Sequence, residues 1–99
     1  MTEQVFHILI ALSERDLHGY AIMQDVAERT QGKVRLGPGT LYGSIKRLLE
    51  EGLIVELEND ARRRYYRLTE FGKKVVAAET VRLESMVSAA RSTRAFRRS

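Results

Sequence analysis

The chain contains no cysteine and no tryptophan, a single proline, and no apolar run longer than Ile8-Leu9-Ile10-Ala11-Leu12. Without cysteine there is neither a disulfide framework nor a thiolate zinc site, which argues against a small secreted scaffold and for a reducing, cytoplasmic setting. The apolar run is far too short to span a bilayer, and no basic segment precedes it as in a signal peptide, so no membrane partner is expected. Internal repeats and low-complexity linkers are absent. No Ser/His/Asp set, carboxylate pair or nucleophile elbow is present, so no enzyme site and no cofactor are expected. His7 and His18 have no Cys, Asp or Glu at ligand spacing; a packing or capping role fits His18 better than a metal. What is there, 99 residues of which 43% are hydrophobic, suffices for one small globular domain.

The net charge of +4 comes from 17 Lys and Arg against 13 Asp and Glu, and it is unevenly placed. Residues 1–84 are balanced, so the whole excess lies in Arg91, Arg94, Arg97 and Arg98. Upstream, the charges are sorted into blocks. Lys33, Arg35, Lys46 and Arg47 stand in an acid-free stretch, as do Arg62, Arg63, Arg64 and Arg67, and between them Glu50, Glu51, Glu56, Glu58 and Asp60 form an acidic one. Such blocks imply local basic patches that suit a polyanion, although a charge run can also be merely a solvated face.

Hydrophobic spacing predicts a helix over roughly 3–13, with Val5, Phe6, Ile8, Leu9 and Leu12 in phase and Thr2 as N-cap. A second, over roughly 18–31, carries the apolar series Tyr20, Ile22, Met23, Val26 and Ala27 and stops at Gly32. Gly37-Pro38-Gly39-Thr40 opens a third, roughly 39–51, whose stripe is Leu41, Ile45, Leu48 and Leu49 and whose stop is Gly52. The period then falls to 2. Leu53, Val55 and Leu57 alternate with Ile54, Glu56 and Glu58 as one strand, and Arg64 to Thr69 forms the next, with turn chemistry at 59–63 and the arginine cluster at the hairpin tip. In the second strand Tyr66 and Leu68 share one face, and Tyr65 and Arg67 the other. Thr69 caps a last helix over roughly 70–91, with Gly72 the weak position in its first turn.

Three helices followed by a hairpin is the order of a winged helix-turn-helix, in which the third helix enters the major groove and the hairpin is the wing. The expected fold is therefore α+β, mainly α: a winged-helix DNA-binding domain over 1–69 with a two-stranded wing, a dimerisation helix over 70–91, and a basic, disordered tail over 92–99. At about 1.5 Å per residue the last helix is about 33 Å long, more than so small a domain can cover. Its apolar positions Val76, Leu83, Met86 and Ala90 fall near a 3.5 spacing, interrupted by Glu79, and with Phe6 and Val87 they are the expected homodimer interface.

Four blocks, in order and at fitting spacing, resemble the PadR family of bacterial transcriptional regulators. They are His18-Gly19-Tyr20-Ala21-Ile22, then Gly37-Pro38-Gly39-Thr40-Leu41-Tyr42, then Leu48 through Gly52-Leu53-Ile54, and finally Arg64-Tyr65-Tyr66-Arg67-Leu68-Thr69 with Gly72; together they cover about residues 5–75. The resemblance implies a winged-helix homodimer, usually a repressor, that binds palindromic operator DNA and is relieved by a small effector or stress signal. A single C-terminal helix is similar to the short-chain branch, without the larger helical C-terminal domain. The absence of tryptophan departs from those short members that build an aromatic drug-stacking pocket at the dimer interface.

The residues themselves supply the reading head. Thr40, Tyr42, Gly43, Lys46 and Arg47 lie off the apolar stripe of the third helix, so they can face a groove while the stripe faces the core. Lys46 and Arg47 suit phosphates or guanine edges, Thr40 and Tyr42 can hydrogen-bond phosphate, and Gly43 permits close approach. Arg62, Arg63 and Arg64 would contact flanking backbone or reach a narrow minor groove. The glycines at 37, 39 and 43 lack the G-x-G-x-x-G spacing of a nucleotide loop. An apolar effector is expected in a cleft formed by Phe6, Leu9, Leu83 and Val87. The alternative function is a winged-helix module that binds a protein partner and lacks specific DNA affinity.

Overall fold

The computed structural model describes residues 1–58 and 62–97. The expected turn residues Asn59, Asp60 and Ala61, and the tail residues Arg98 and Ser99, lie outside the described residues.

Thr2 opens α1 (Glu3–Glu14) as expected: its hydroxyl accepts from the Val5 amide at 3.2 Å, satisfying one of the donors that a helix start leaves over. The chain then runs extended into a two-residue strand, β1 (Leu17–His18), and turns into α2 (Gly19–Arg29). That helix ends at Arg29, two residues before the expected bound of 31. Gln31 (φ 56°) and Gly32 (φ 79°) both adopt left-handed backbone, and the Gly32 amide donates to the Ala27 carbonyl at 2.7 Å, closing a Schellman turn. After an extended connection, Pro38 begins α3 (Pro38–Glu50). Gly52 (φ 77°) ends it by the same device, with the Leu53 amide donating to the Leu48 carbonyl at 3.0 Å.

Two antiparallel strands follow, β2 (Ile54–Leu57) and β3 (Tyr65–Leu68), and with β1 they make a sheet of order β1-β3-β2. In the ladder, Leu17 lies opposite Tyr66, His18 opposite Tyr65 and Ile54 opposite Leu68. The third strand is an addition to the expected two-stranded wing, since two residues are too few to display a period. The register of β2 is a correction. Ile54, not Val55, faces the core: it is 1% exposed against 43% for Val55. Leu53 is buried too, but as the apolar residue that a Schellman turn folds back against its own helix, so it does not set the phase of the strand.

The core gathers Ile8, Leu9 and Leu12 of α1, Ile22 and Val26 of α2, Leu41, Ile45 and Leu48 of α3, and Ile54, Tyr66 and Leu68 of the hairpin. Tyr66 and Leu68 are buried on one face and Arg67 is exposed on the other, as alternation requires. Burial pushes the Tyr66 phenol above its ordinary value, with the Glu56 carboxylate adding to the shift. One residue of the expected apolar series does not join this core. Tyr20 is 62% exposed, because it lies about 160° around the helix from Ile22.

Thr69 caps α4 (Glu70–Arg91), accepting from the Gly72 amide at 2.9 Å. Gly72, by propensity a weak position, is required by packing: a Cβ there would collide with the Leu53 carbonyl and lie 2.8 Å from Leu68 Cδ1. α4 runs on past α1, with Val75 and Val76 packed against the core, and Gly72 is its one fully buried residue. The tail, expected to be without structure, adds a helical turn, α5 (Arg94–Arg97), over whose Phe96 ring the Arg91 guanidinium sits at 5.3 Å.

Asp16 ties the α1–β1 link to β3 through a two-pronged ion pair with Arg67, at 2.7 and 3.1 Å. The hydrogen bonds from Arg67 hold its carboxyl below the usual value of 3.8. A carboxylate whose folded pKa is depressed contributes stability above its unfolded pKa and loses it as pH falls through the folded one. Asp16→Asn should therefore flatten the loss of stability below about pH 4, in acid titrations followed by circular dichroism, relative to the parent. Gly72→Ala should lower the unfolding free energy by about 1–3 kcal/mol, the range for overpacking, in denaturant melts.

Candidate nucleic-acid interface

The N-terminus of α3 is bare. Gly37 stands at the cap with no side-chain acceptor and Pro38 follows, so the first-turn amides of this exposed segment are offered to solvent or to an anion. All five residues expected to read a groove, Thr40, Tyr42, Gly43, Lys46 and Arg47, are exposed. At about 100° per residue they occupy an arc of about 160° running from Tyr42 through Lys46, Gly43 and Arg47 to Thr40, opposite Leu41, Ile45 and Leu48.

The middle of that arc is a bare strip. Gly39 and Gly43 fall there, with Gly37 at the cap before them; a Cβ added at any of the three would meet nothing within 4 Å, and none has a positive φ. Neither packing within the chain nor backbone conformation calls for glycine at these positions.

Tertiary structure distributes the reading residues to two sides of α3. On one side Tyr42 joins the wing in a groove of about 530 Å³ lined by His18, Gly19, Tyr20, Tyr42, Arg62, Arg63, Arg64 and Tyr66. On the other, Gly39, Thr40, Gly43, Ser44 and Arg47 face Val5 of α1 across a shallower groove of about 340 Å³. Lys46 lines neither and projects between them. The three arginines thus come beside α3 although they lie about twenty positions downstream of Tyr42 in sequence. Gly19 makes the first groove possible, since a Cβ there would strike the Tyr42 hydroxyl and come within 2.8 Å of its Cζ.

Two groove residues were not legible as such in the sequence. Tyr20 reads as apolar, yet its phase relative to Ile22 and Val26 already places it on the outer face of α2. His18 caps α2, its Nδ1 accepting from the Ala21 amide at 3.2 Å, while its Nε2 lies 3.1 Å from Arg63 Nη1. Among the described residues no group of three or more His, Asp or Glu stands together as metal ligands would.

The second surface with open apolar area lies between α1 and the far half of α4. Phe6, Thr80, Leu83, Glu84, Val87, Ser88 and Arg91 line a cleft of about 450 Å³. Leu9, expected in this lining, is fully buried in the core instead, because it falls on the α1 face turned toward the domain. Met86 and Val87 are 56% and 51% exposed. Glu79, which interrupts the apolar seam, is held by Arg82 through two bonds of 2.7 Å, and these hold its carboxyl below the ordinary range.

Comparison with known proteins places this geometry. The profile of the transcriptional regulator PadR-like family matches residues 8–78. A protein of a Streptomyces fradiae transposon is 42% identical over 72 residues, covering 73% of this chain and 20% of that protein. The chain spans 20% to 64% of the length of the first three curated relatives it matches. A transcriptional regulator from Clostridium thermocellum superposes with a TM-score of 0.81 at 28% identity, covering 88% of each chain. Bacillus subtilis PadR, solved with operator DNA, superposes with a TM-score of 0.70 at 24% identity over 82% of this chain and 48% of that one.

If Gly43 is kept for an outside partner alone, Gly43→Ala should not harm the fold. The variant should be as stable as the parent or more stable by up to about 1 kcal/mol, the gain in helix propensity, in thermal or denaturant melts.

Proposed function

The chain belongs to the transcriptional regulator PadR-like family, and we propose that it acts as a homodimeric repressor that binds a palindromic operator in double-stranded DNA and is released by a small apolar effector. The observation that carries DNA binding is the pairing of an unfilled glycine strip on α3 with a wing whose Arg62, Arg63 and Arg64 border the same helix. A helix with a bare strip at the middle of its exposed arc can lie deep in a major groove. The flanking cations and hydroxyls then meet the phosphates on either side: Arg47 and Thr40 on the α1 side, the wing arginines and Tyr42 on the other. Lys46, between them, is placed for base edges. The Bacillus subtilis relative solved with operator DNA supports the reading.

Dimerisation follows from α4. Its far half exposes Val81, Met86 and Val87, and the cleft beside Phe6 and Leu83 has open apolar area that a second copy would remove from water. Val76 and Ala90 extend the same interface along the helix. Within it, the Glu79–Arg82 pair neutralises the one charge on the seam without a partner's help. The effector would enter at the Phe6, Leu83 and Val87 cleft, where it alters the spacing of the two recognition helices.

Fluorescence anisotropy against DNA from immediately upstream of the protein's own coding sequence, with random duplex of equal length as competitor, tests the function. A preference of about 10³-fold or more over random duplex is expected. Replacing Arg62, Arg63 and Arg64 together by Ala should weaken binding to both duplexes and reduce the slope of log affinity against log salt by up to about 3 per protomer; an unchanged slope would remove the wing from the interface. Val87→Asp should shift the protein from dimer to monomer in sedimentation velocity, because it buries a charge without a partner.

A further inference from the structure

His18 is asked for one lone pair by two donors. The Ala21 amide donates to Nδ1 at 3.2 Å, and the Arg63 guanidinium, which can only donate, sits 3.1 Å from Nε2. A neutral imidazole has a single acceptor nitrogen. If Nδ1 keeps the helix cap, Nε2 carries the proton and confronts Arg63 donor to donor. If Nε2 accepts from Arg63, Nδ1 carries the proton and α2 loses its cap. The ring is held in place while this conflict stands: it meets Tyr65 edge-on at 5.3 Å and 87°, and His18 and Tyr65 are partners in the β1–β3 ladder.

The conflict disappears if an anion enters the groove. With the cap kept, Nε2–H and the Arg63 guanidinium are two donors 3.1 Å apart on the lining of a groove that Tyr20, Tyr42 and Arg64 also border. That separation suits two non-bridging oxygens of one phosphate, or a single oxygen shared by both donors. We propose that His18 Nε2–H and Arg63 together form a binding site for one phosphodiester of the DNA backbone. Arg63 leaves the imidazole to bind the phosphate, and His18 settles into the tautomer that both caps α2 and donates to the same group. The inference rests on the DNA-binding function proposed above and adds to it a neutral contact that no count of positive charges would include.

The experiment uses the full chain and random duplex at low salt, because a phosphate site is independent of sequence. His18→Ser keeps a good N-cap residue and removes the Nε2 donor, so the fold is retained. Affinity should fall about tenfold, as for loss of a hydrogen bond to a charged group, with the salt slope unchanged since a neutral donor releases no counterion. Arg63→Ala should lower the slope by about one per protomer, and the double variant should lose less than the sum of the two single losses. Imidazole 15N shifts should show His18 moving to the Nε2–H tautomer on adding duplex. Additive losses, or an Nδ1–H tautomer in the complex, would overturn the site while leaving DNA binding intact. Failure of the parent protein to bind any duplex would overturn the function and the site together.

Discussion

One carbonyl oxygen, that of Leu53, organises the corner on which the interface depends. It accepts from the Thr69 amide and from the Thr69 hydroxyl, each at 3.0 Å, and the backbone of Gly72 is packed directly against it. The same hydroxyl accepts from the Gly72 amide and lies 2.7 Å from the Gly52 carbonyl. The end of α3, the start of β2, the end of β3 and the first turn of α4 therefore meet within one hydrogen-bonded knot. The angle between α3 and the hairpin and the direction of α4 are set there. A side chain at position 72 would force the helix off that carbonyl and shift both.

From this corner the division of labour follows. Among the described residues the core is apolar apart from the Tyr66 phenol, and it includes no charged residue. The ion pairs lie outside that core: Asp25–Arg29 and Glu79–Arg82 each span one turn of a helix, whereas Asp16–Arg67 joins residues far apart in the chain. Exposed pairs of this kind add little stability but fix the position of the backbone that carries them. Arg67 is tied to Asp16 on the outer face of β3, while Arg62, Arg63 and Arg64, earlier in the same hairpin, border the α3 groove. A single arginine-rich segment thus supplies both a structural brace and the charged rim of the groove.

Much of this was legible in the residue order. Thr2 and Thr69 as caps, Gly52 as a stop, Pro38 at the start of a helix, and the Tyr66/Leu68 inner face all occur where local chemistry puts them. The misreadings have specific causes. Val55 was assigned inward because Leu53 was counted in the strand, whereas the Schellman turn folds Leu53 onto α3. Tyr20 enters the apolar series of the second helix although its phase turns it outward, and Leu9 enters the expected outer cleft although it lies in the core. β1 escaped notice because a pair of residues has no periodicity, and its existence depends on β3 being alongside.

What the sequence by itself determined is the inventory: the helices, the hairpin, the phase of α3 and therefore which of its residues face outward. These follow from interactions within a few positions along the chain, from caps, from backbone preferences and from the period of apolar residues. Only the tertiary structure decided which of them meet. It brought His18 and Tyr20 against wing arginines more than forty residues away, laid Tyr42 over Gly19, and left Gly37, Gly39 and Gly43 with open space above them. Periodicity along one element carries no information about what lies across from it. That is set by how the elements pack, and here by the corner at Leu53, Thr69 and Gly72.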